Sequence, residues 1–228
     1  MPSPDVRKRL LLILIFVCGI AVSLTAYVVA KEQRDAAHLI KVLEQVQVGH
    51  TQIEDIAPSL HSARTAAASN DEGCEANSRH SKVSSPAETG GGGSPLPAGH
   101  LCGYDLVVMN RVLHGLRLAP VTGIVANVET NNGIVDQLLI FYQLGDFGNI
   151  GLVDFIQVAP GKATNCGRAT CVERSYGSDG AVVKIRIQVA ADAPSAERNR
   201  LLNFNTRCIS KIGGCKNASE LLPISEHD

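Results

Sequence analysis

Apolar positions dominate a charge-free run from Leu10 to Ala30, fall to a helical stripe, nearly vanish between Ser62 and His100, and return in alternation from Leu101 onward. Each regime predicts an element. About 21 charge-free residues at ~1.5 Å rise give roughly 31 Å, against a hydrocarbon core of ~30 Å, so residues 10–30 are expected to be a transmembrane helix. A cleaved secretory signal has a shorter apolar stretch of ~7–15 residues and a small-x-small site, of which Val28-Val29-Ala30 is a poor version. The adopted reading is a retained anchor. Cys18 has neither the small residues ahead of it nor the polar chain behind it that lipidation needs, and reads as a small apolar residue of the span.

Residues 31–61 predict juxtamembrane helices. Ala36, Leu39, Ile40, Leu43 and Val46 form one stripe at helical spacing, and Gly49 stops it. Thr51-Gln52-Ile53-Glu54 has the form of a capping box opening a second short helix, which Pro58 kinks or ends. Residues 62–100, rich in Gly, Ser, Ala and Pro and ending in "GGGGSPLPAGH", hold too few large apolar side chains to offset their ordering entropy, and are expected to be a flexible linker.

Residues 101–223 are then the folded domain, ahead of a tail at 224–228. "VTGIVANVET" and "GIVDQLLIFYQL" flank Asn131-Asn132-Gly133, a strong hairpin signal. "LVDFIQVAP" follows, ended by Pro160. "CVERSYG" and "AVVKIRIQVA" flank a second turn at Ser178-Asp179-Gly180, and Val183, Ile185, Ile187 and Val189 alternate with Lys184, Arg186 and Gln188. "YDLVVMNRVLHGLRLAP" satisfies both periods. The choice here is a strand to Met109 and a short helix to Leu116, with Asn110 as its N-cap, the helical alternative for residues 103–109 staying open. Ala193–Ile212 is expected to be one helix ended by Gly213-Gly214. The expected class is α+β: a transmembrane helix continuing into a short helix, then a small antiparallel sheet with a C-terminal helix, braced by disulfides.

Charge then gives an orientation. Arg7, Lys8 and Arg9 precede the span, while Lys31 and Arg34 beyond it are offset by Glu32 and Asp35, so residues 1–9 are expected in the cytoplasm and residues 31–228 outside. The cysteines agree: Cys74, Cys102, Cys166, Cys171, Cys208 and Cys215 make an even set outside the span, as an oxidising compartment favours. Their spacings do not suit zinc knuckles and contain no C-x-x-C redox pair. Of the fifteen pairings open to six cysteines, the nearest-neighbour set Cys74–Cys102, Cys166–Cys171 and Cys208–Cys215 is preferred.

Two resemblances bear on this outline. "VGHTQIEDI" resembles the G-x-T-x-x-[DE] helix turn of the small lipoprotein in bacterial β-barrel assembly machinery, over nine residues that capping also explains; no functional residue is carried over. A membrane helix running into an α+β head resembles the architecture of type IV pilins, although the glycine-phenylalanine processing site and the early glutamate of that family are missing. The resemblance is one of architecture, and implies pilin-like assembly as a distant alternative.

Candidate chemistry is sparse. His38, His50, His61, His80, His100, His114 and His227 are scattered with no metal-binding spacing, and a solvated role explains them. Asp105, Asp136 and Asp154 lie in or beside strands, where a carboxylate pair or simply a wet sheet face accounts for them. There is no nucleophile elbow or phosphate loop. Asn217-Ala218-Ser219 matches a glycosylation sequon, meaningful only in a eukaryotic secretory host. A net charge of −1 and no tryptophan leave nucleic-acid binding without a basic footprint or stacking platform. Arg198, Arg200, Arg207, Lys211 and Lys216 could attract an acidic partner or lipid headgroups, although a solvated helix face explains them as well. No catalytic, cofactor or metal residue is assigned. The expectation is a single-pass protein of the cytoplasmic membrane, bound to the bilayer through residues 10–30. Its head is expected to be a non-catalytic binding or scaffolding module of the cell envelope with a protein partner. The alternative is an envelope enzyme whose carboxylate or histidine site forms only in three dimensions; pilin-like assembly is more distant.

Overall fold

The computed structural model describes residues 4–60, 101–145 and 151–223. A single helix, α1 (Pro4–Leu43), carries both N-terminal regimes. Its first half exposes Leu10–Val17 all round, and one continuous stretch is long and apolar enough to cross a membrane. Its second half buries Ala36, Leu39, Ile40 and Leu43, the expected stripe, in the head's core together with Val46 and Val48. Each leucine so removed from water contributes roughly 1.5–3 kcal/mol before entropy is charged. The chain turns out of α1 at Glu44, passes through left-handed Gly49 (φ 85°), and enters α2 (Ile53–Leu60), which accommodates Pro58 inside it.

The head is built on a six-stranded sheet: β1 (Leu101–Met109), β2 (Thr122–Asn131), β3 (Ile134–Leu144), β4 (Gly151–Gln157), β5 (Thr170–Tyr176) and β6 (Val182–Val189), in the order β1-β2-β3-β4-β6-β5. All neighbours are antiparallel except β4 and β6, because β6 inserts between β4 and β5. The β2–β3 turn is the expected one: Asn132 (φ 53°) and Gly133 (φ 81°) both take the positive φ of a type I′ turn. A register shift follows, pairing Thr130 with Val135 and Glu129 with Gln137, so Asp136 is the unpaired residue of a bulge. One sheet face, including Leu106, Ile124, Leu138, Ile140, Phe155, Ile185 and Ile187, packs into the core with the α1 stripe.

The ambiguous segment resolves as strand β1 followed by α3 (Arg111–Gly115). Asn110 does not cap α3. Its buried side chain instead donates to Pro120 O at 2.8 Å and accepts from the Thr122 amide at 2.9 Å, closing the β1–β2 connection. The capping box at Thr51 is also not the arrangement found. Thr51 Oγ1 accepts from the Gln47 amide at 2.7 Å and its own amide donates back to Gln47 O, tightening the turn before α2.

The single C-terminal helix expected over Ala193–Ile212 is broken into α4 (Ser195–Leu201) and α5 (Arg207–Ser210), with α6 (Ala218–Leu221) beyond. Tertiary partners outbid helical periodicity at the break. Tyr142 Oη donates to Asn205 O at 2.7 Å, Phe204 meets Tyr142 edge-on at 5.7 Å, and the Asn205 amide donates to Leu221 O.

Cys166 bonds Cys171 and Cys208 bonds Cys215. The second bond closes the return turn that the paired glycines make possible. α5 ends at Ser210, Gly213 (φ 78°) and Gly214 (φ 65°) reverse the chain, and the two cysteine Cα atoms come to 5.2 Å. Cys74, its expected bond to Cys102, and the linker expected over 62–100 lie outside the described residues.

Two stability outcomes follow from this core. Cys208→Ser should cost about 2–3 kcal/mol through the freed loop, with no further loss when Cys215→Ser is added; thermal melts of the three proteins check it. Gln157 faces the core with both amide atoms buried and without a hydrogen-bond partner among the described residues. Gln157→Met should therefore raise the melting temperature, by the equivalent of about 1–3 kcal/mol.

Candidate binding surface on the outer sheet face

Strand alternation that fills the core on one face also dictates the other. Met109, Val125, Phe141, Leu152 and Lys184 project from five different strands onto the outer face. With Gln143, Gly151, Ser175 and Val183 they line a groove of about 720 Å³. Its lining is mainly apolar, and Phe141 remains exposed at its centre.

Asp154 lies beside this groove, in register with Phe141 on β3 and Arg186 on β6. It is buried, although it points to the outer face. Lys184 Nζ approaches its Oδ2 at 2.7 Å and Arg186 Nε at 3.8 Å, while Oδ1 is buried without a hydrogen-bond partner among the described residues. A carboxylate removed from water needs such cations, since an unpaired buried charge is strongly destabilising. The arrangement offers an apolar slot edged by the Lys184 cation, with the Asp154 carboxylate buried behind it.

The other sequence candidates do not converge on it. Asp105 accepts from Asn127 Nδ2 at 2.8 Å on β1–β2, three strands from Asp154, or about 14 Å at ~4.8 Å per strand. That exceeds the ~5–9.5 Å of hydrolytic carboxylate pairs. Asp136 sits in the bulge near the opposite end of the sheet. His50 lines a separate polar hollow with Pro160, Lys162 and Asp192, and His114 lies on α3. Among the described residues no three His, Cys, Asp or Glu side chains gather as metal ligands. His61, His80, His100 and His227 lie outside the described residues. The basic cluster is dispersed. Arg198 is buried, donating from Nη2 to Glu44 O at the end of α1, and burial lowers its pKa, while Lys211 pairs with Glu220 at 3.3 Å.

The groove was missed in the sequence, yet β4 carried a signal for it. "GLVDFIQV" does not alternate cleanly, and a near-continuous apolar run means that both faces are at least partly covered. One aspartate in such a run has to find a partner.

A smaller cavity of about 180 Å³ lies where α1 meets the head, between Val28, Lys31, Glu32 and Asp35 on one side and Val107–Met109 and Arg111 on the other. Glu32 faces the backbone amides of Arg111 and Val112 at the start of α3. Burial raises its pKa, against the opposing pull of those amides and of the Arg111 charge, and Asp35 adds a further small rise. Compared with protein-family models, curated proteins and solved structures, the chain matches none of them.

The direction of the Glu32 shift gives a pH dependence. A carboxyl whose folded pKa lies above its ordinary value of 4.5 contributes stability that is present below that value and lost as pH rises through the folded pKa. Glu32→Gln keeps an acceptor for the α3 amides and removes the titration. Melting temperatures across mildly acidic to neutral pH should fall more in the native chain than in Glu32→Gln, the two differing most at neutral pH.

Proposed function

We propose that this chain is a single-pass membrane protein whose α+β head stands outside the cytoplasm as a non-catalytic binding or scaffolding module of the cell envelope. Two observations support the setting: one apolar helix long enough to span a bilayer and two disulfides in the head. The Arg7-Lys8-Arg9 cluster supports an inward N-terminus. The observation that carries the binding role is the apolar groove around Phe141, flanked by the Lys184–Asp154–Arg186 ion group. Interfaces concentrate their energy in such apolar centres edged by polar groups. The partner favoured is a protein of the same envelope that inserts an apolar side chain beside Phe141 and meets the charge of Lys184 at the groove's edge.

An enzyme reading would require titratable groups converging in a cleft. Asp154 is instead held by two cations, and Asp105 lies across the sheet from it. A pilin-like assembly subunit is the second reading. It is favoured by α1, a continuous 40-residue helix whose first half is apolar and exposed and whose second half is packed under the sheet.

Site-specific photocross-linking in intact cells separates the readings. A photoreactive residue at Phe141 should give a discrete heterologous adduct, one at Glu129 on the far part of the same face should not, and Leu152→Glu should abolish the first without lowering the melting temperature by more than a few degrees. Adducts between copies formed from Val22 in the span, with none from Phe141, would support assembly and overturn the groove as a binding site.

A further inference from the structure

We infer that the α3–α5 end of the head is a lipid-contact surface, on which Leu116, Leu118, Ile212 and Arg117 seat in the headgroup layer of the membrane that α1 crosses. The inference rests on the reading of Leu10–Ala30 as a retained span, but not on its orientation or on the groove. Outside α1, the large apolar side chains exposed among the described residues are Leu116, Leu118, Phe141, Tyr176 and Ile212. Leu116 is 53% exposed, Leu118 43% and Ile212 71%, and these three share two adjoining loops. The Gly213 amide donates to Leu118 O at 2.7 Å, tying the loops together.

Their height above the span is fixed by contacts with α1. Glu32 faces the Arg111 and Val112 amides, and Ser210 Oγ donates to Gln33 Oε1 at 2.7 Å. Glu32 and Gln33 follow Ala30 by two and three residues, ~3–4.5 Å along a helix axis. The headgroup layer on each side of the hydrocarbon is about 5–8 Å deep, so both attachment points lie within it.

Strand direction supplies the sense. The β2–β3 turn and the Gln52–Ile134 bridge lie at the far end of the sheet, beside the C-terminal end of α1, where β1 begins. β1 then runs toward the membrane and ends at Met109, beside Val28 and Lys31. α3 and the loop after it therefore project from the sheet's lower end toward the bilayer.

The local chemistry suits that position. α3 ends in a Schellman turn, with the Arg117 amide donating to His114 O and the Leu118 amide to Leu113 O, both at 2.8 Å. Arg117 takes the left-handed position (φ 58°) that glycine fills most readily, and it stands exposed between the two exposed leucines. Aliphatic side chains that enter the acyl boundary, interleaved with a cation that reaches phosphate, are the composition of an interfacial segment.

Because the chain has no tryptophan, a single introduced one reports its own surroundings. Full-length Leu116→Trp, Ile212→Trp and, at the far end of the head, Lys162→Trp would each be placed in nanodiscs holding one chain, with phosphatidylcholine alone or mixed with phosphatidylglycerol. Lipids brominated near the glycerol end of the acyl chain serve as quenchers. Expected are blue-shifted emission and strong quenching at positions 116 and 212, greater with the anionic lipid and reduced toward the zwitterionic level by Arg117→Gln, with water-like unquenched emission at 162. Unquenched, water-like emission at both 116 and 212 in disc-embedded protein would overturn the inference. So would shielding that appears only in discs holding two chains, since the occupant would then be a second copy. Protein that fails to enter discs at all would instead defeat the span reading, and flotation detects that outcome separately.

Discussion

One helix carries two patterns of apolar surface. α1 is apolar around its circumference over its first half and apolar along one stripe over its second half, and no break separates the two. The sheet packs onto that stripe through Leu39, Ile40 and Leu43, and three polar contacts set its rotation and height. Glu32 faces the start of α3, Gln33 accepts from Ser210, and the carbonyl of Glu44 receives Arg198. The last of these places a cation at the negative end of the helix dipole, where it is stabilising. A head held this way is seated directly on α1, by the apolar stripe and by these side chains.

That seating explains which parts of the structure were legible in the sequence. Residues 103–109 satisfied both periods, but the α1 stripe, the Asn132-Gly133 turn and the alternation of β6 depend on neighbours a few residues away, and local periodicity reports them. The C-terminal helix does not. Leu201, Leu202, Phe204 and Ile209 have helical spacing, but Phe204 and Asn205 satisfy Tyr142 and Leu221 by leaving the helix. Thr51 and Asn110 carry cap-forming side chains that are used elsewhere, one by Gln47 and the other by Pro120 and Thr122. Sequence patterns identify side chains able to cap, whereas the choice among acceptors is made by the tertiary fold. The Cys208–Cys215 bond was legible for a related reason: a continuous helix would hold residues seven apart beyond disulfide reach, and the paired glycines mark the reversal that brings them to 5.2 Å.

The candidate site was the least legible part because strand order creates it. Along the chain β4 is followed by β5, and a plain meander would lay β5 beside β4. The outer-face residues of β5 include Glu173, which pairs in register with Arg186. Beside Asp154 that carboxylate would add like charge to a buried acid, a destabilising neighbour in a sheet. Insertion of β6 in parallel brings Lys184 and Arg186 there instead and moves Glu173 one strand outward, onto Arg186. The charges on the outer face thus run acid, base, acid across β4, β6 and β5. On the other side of Asp154, β3 and β2 contribute Phe141 and Val125, with no charge to compete. The boundary between the apolar groove and the ionic strip falls at Asp154, and the parallel β4–β6 pairing is the feature that puts it there.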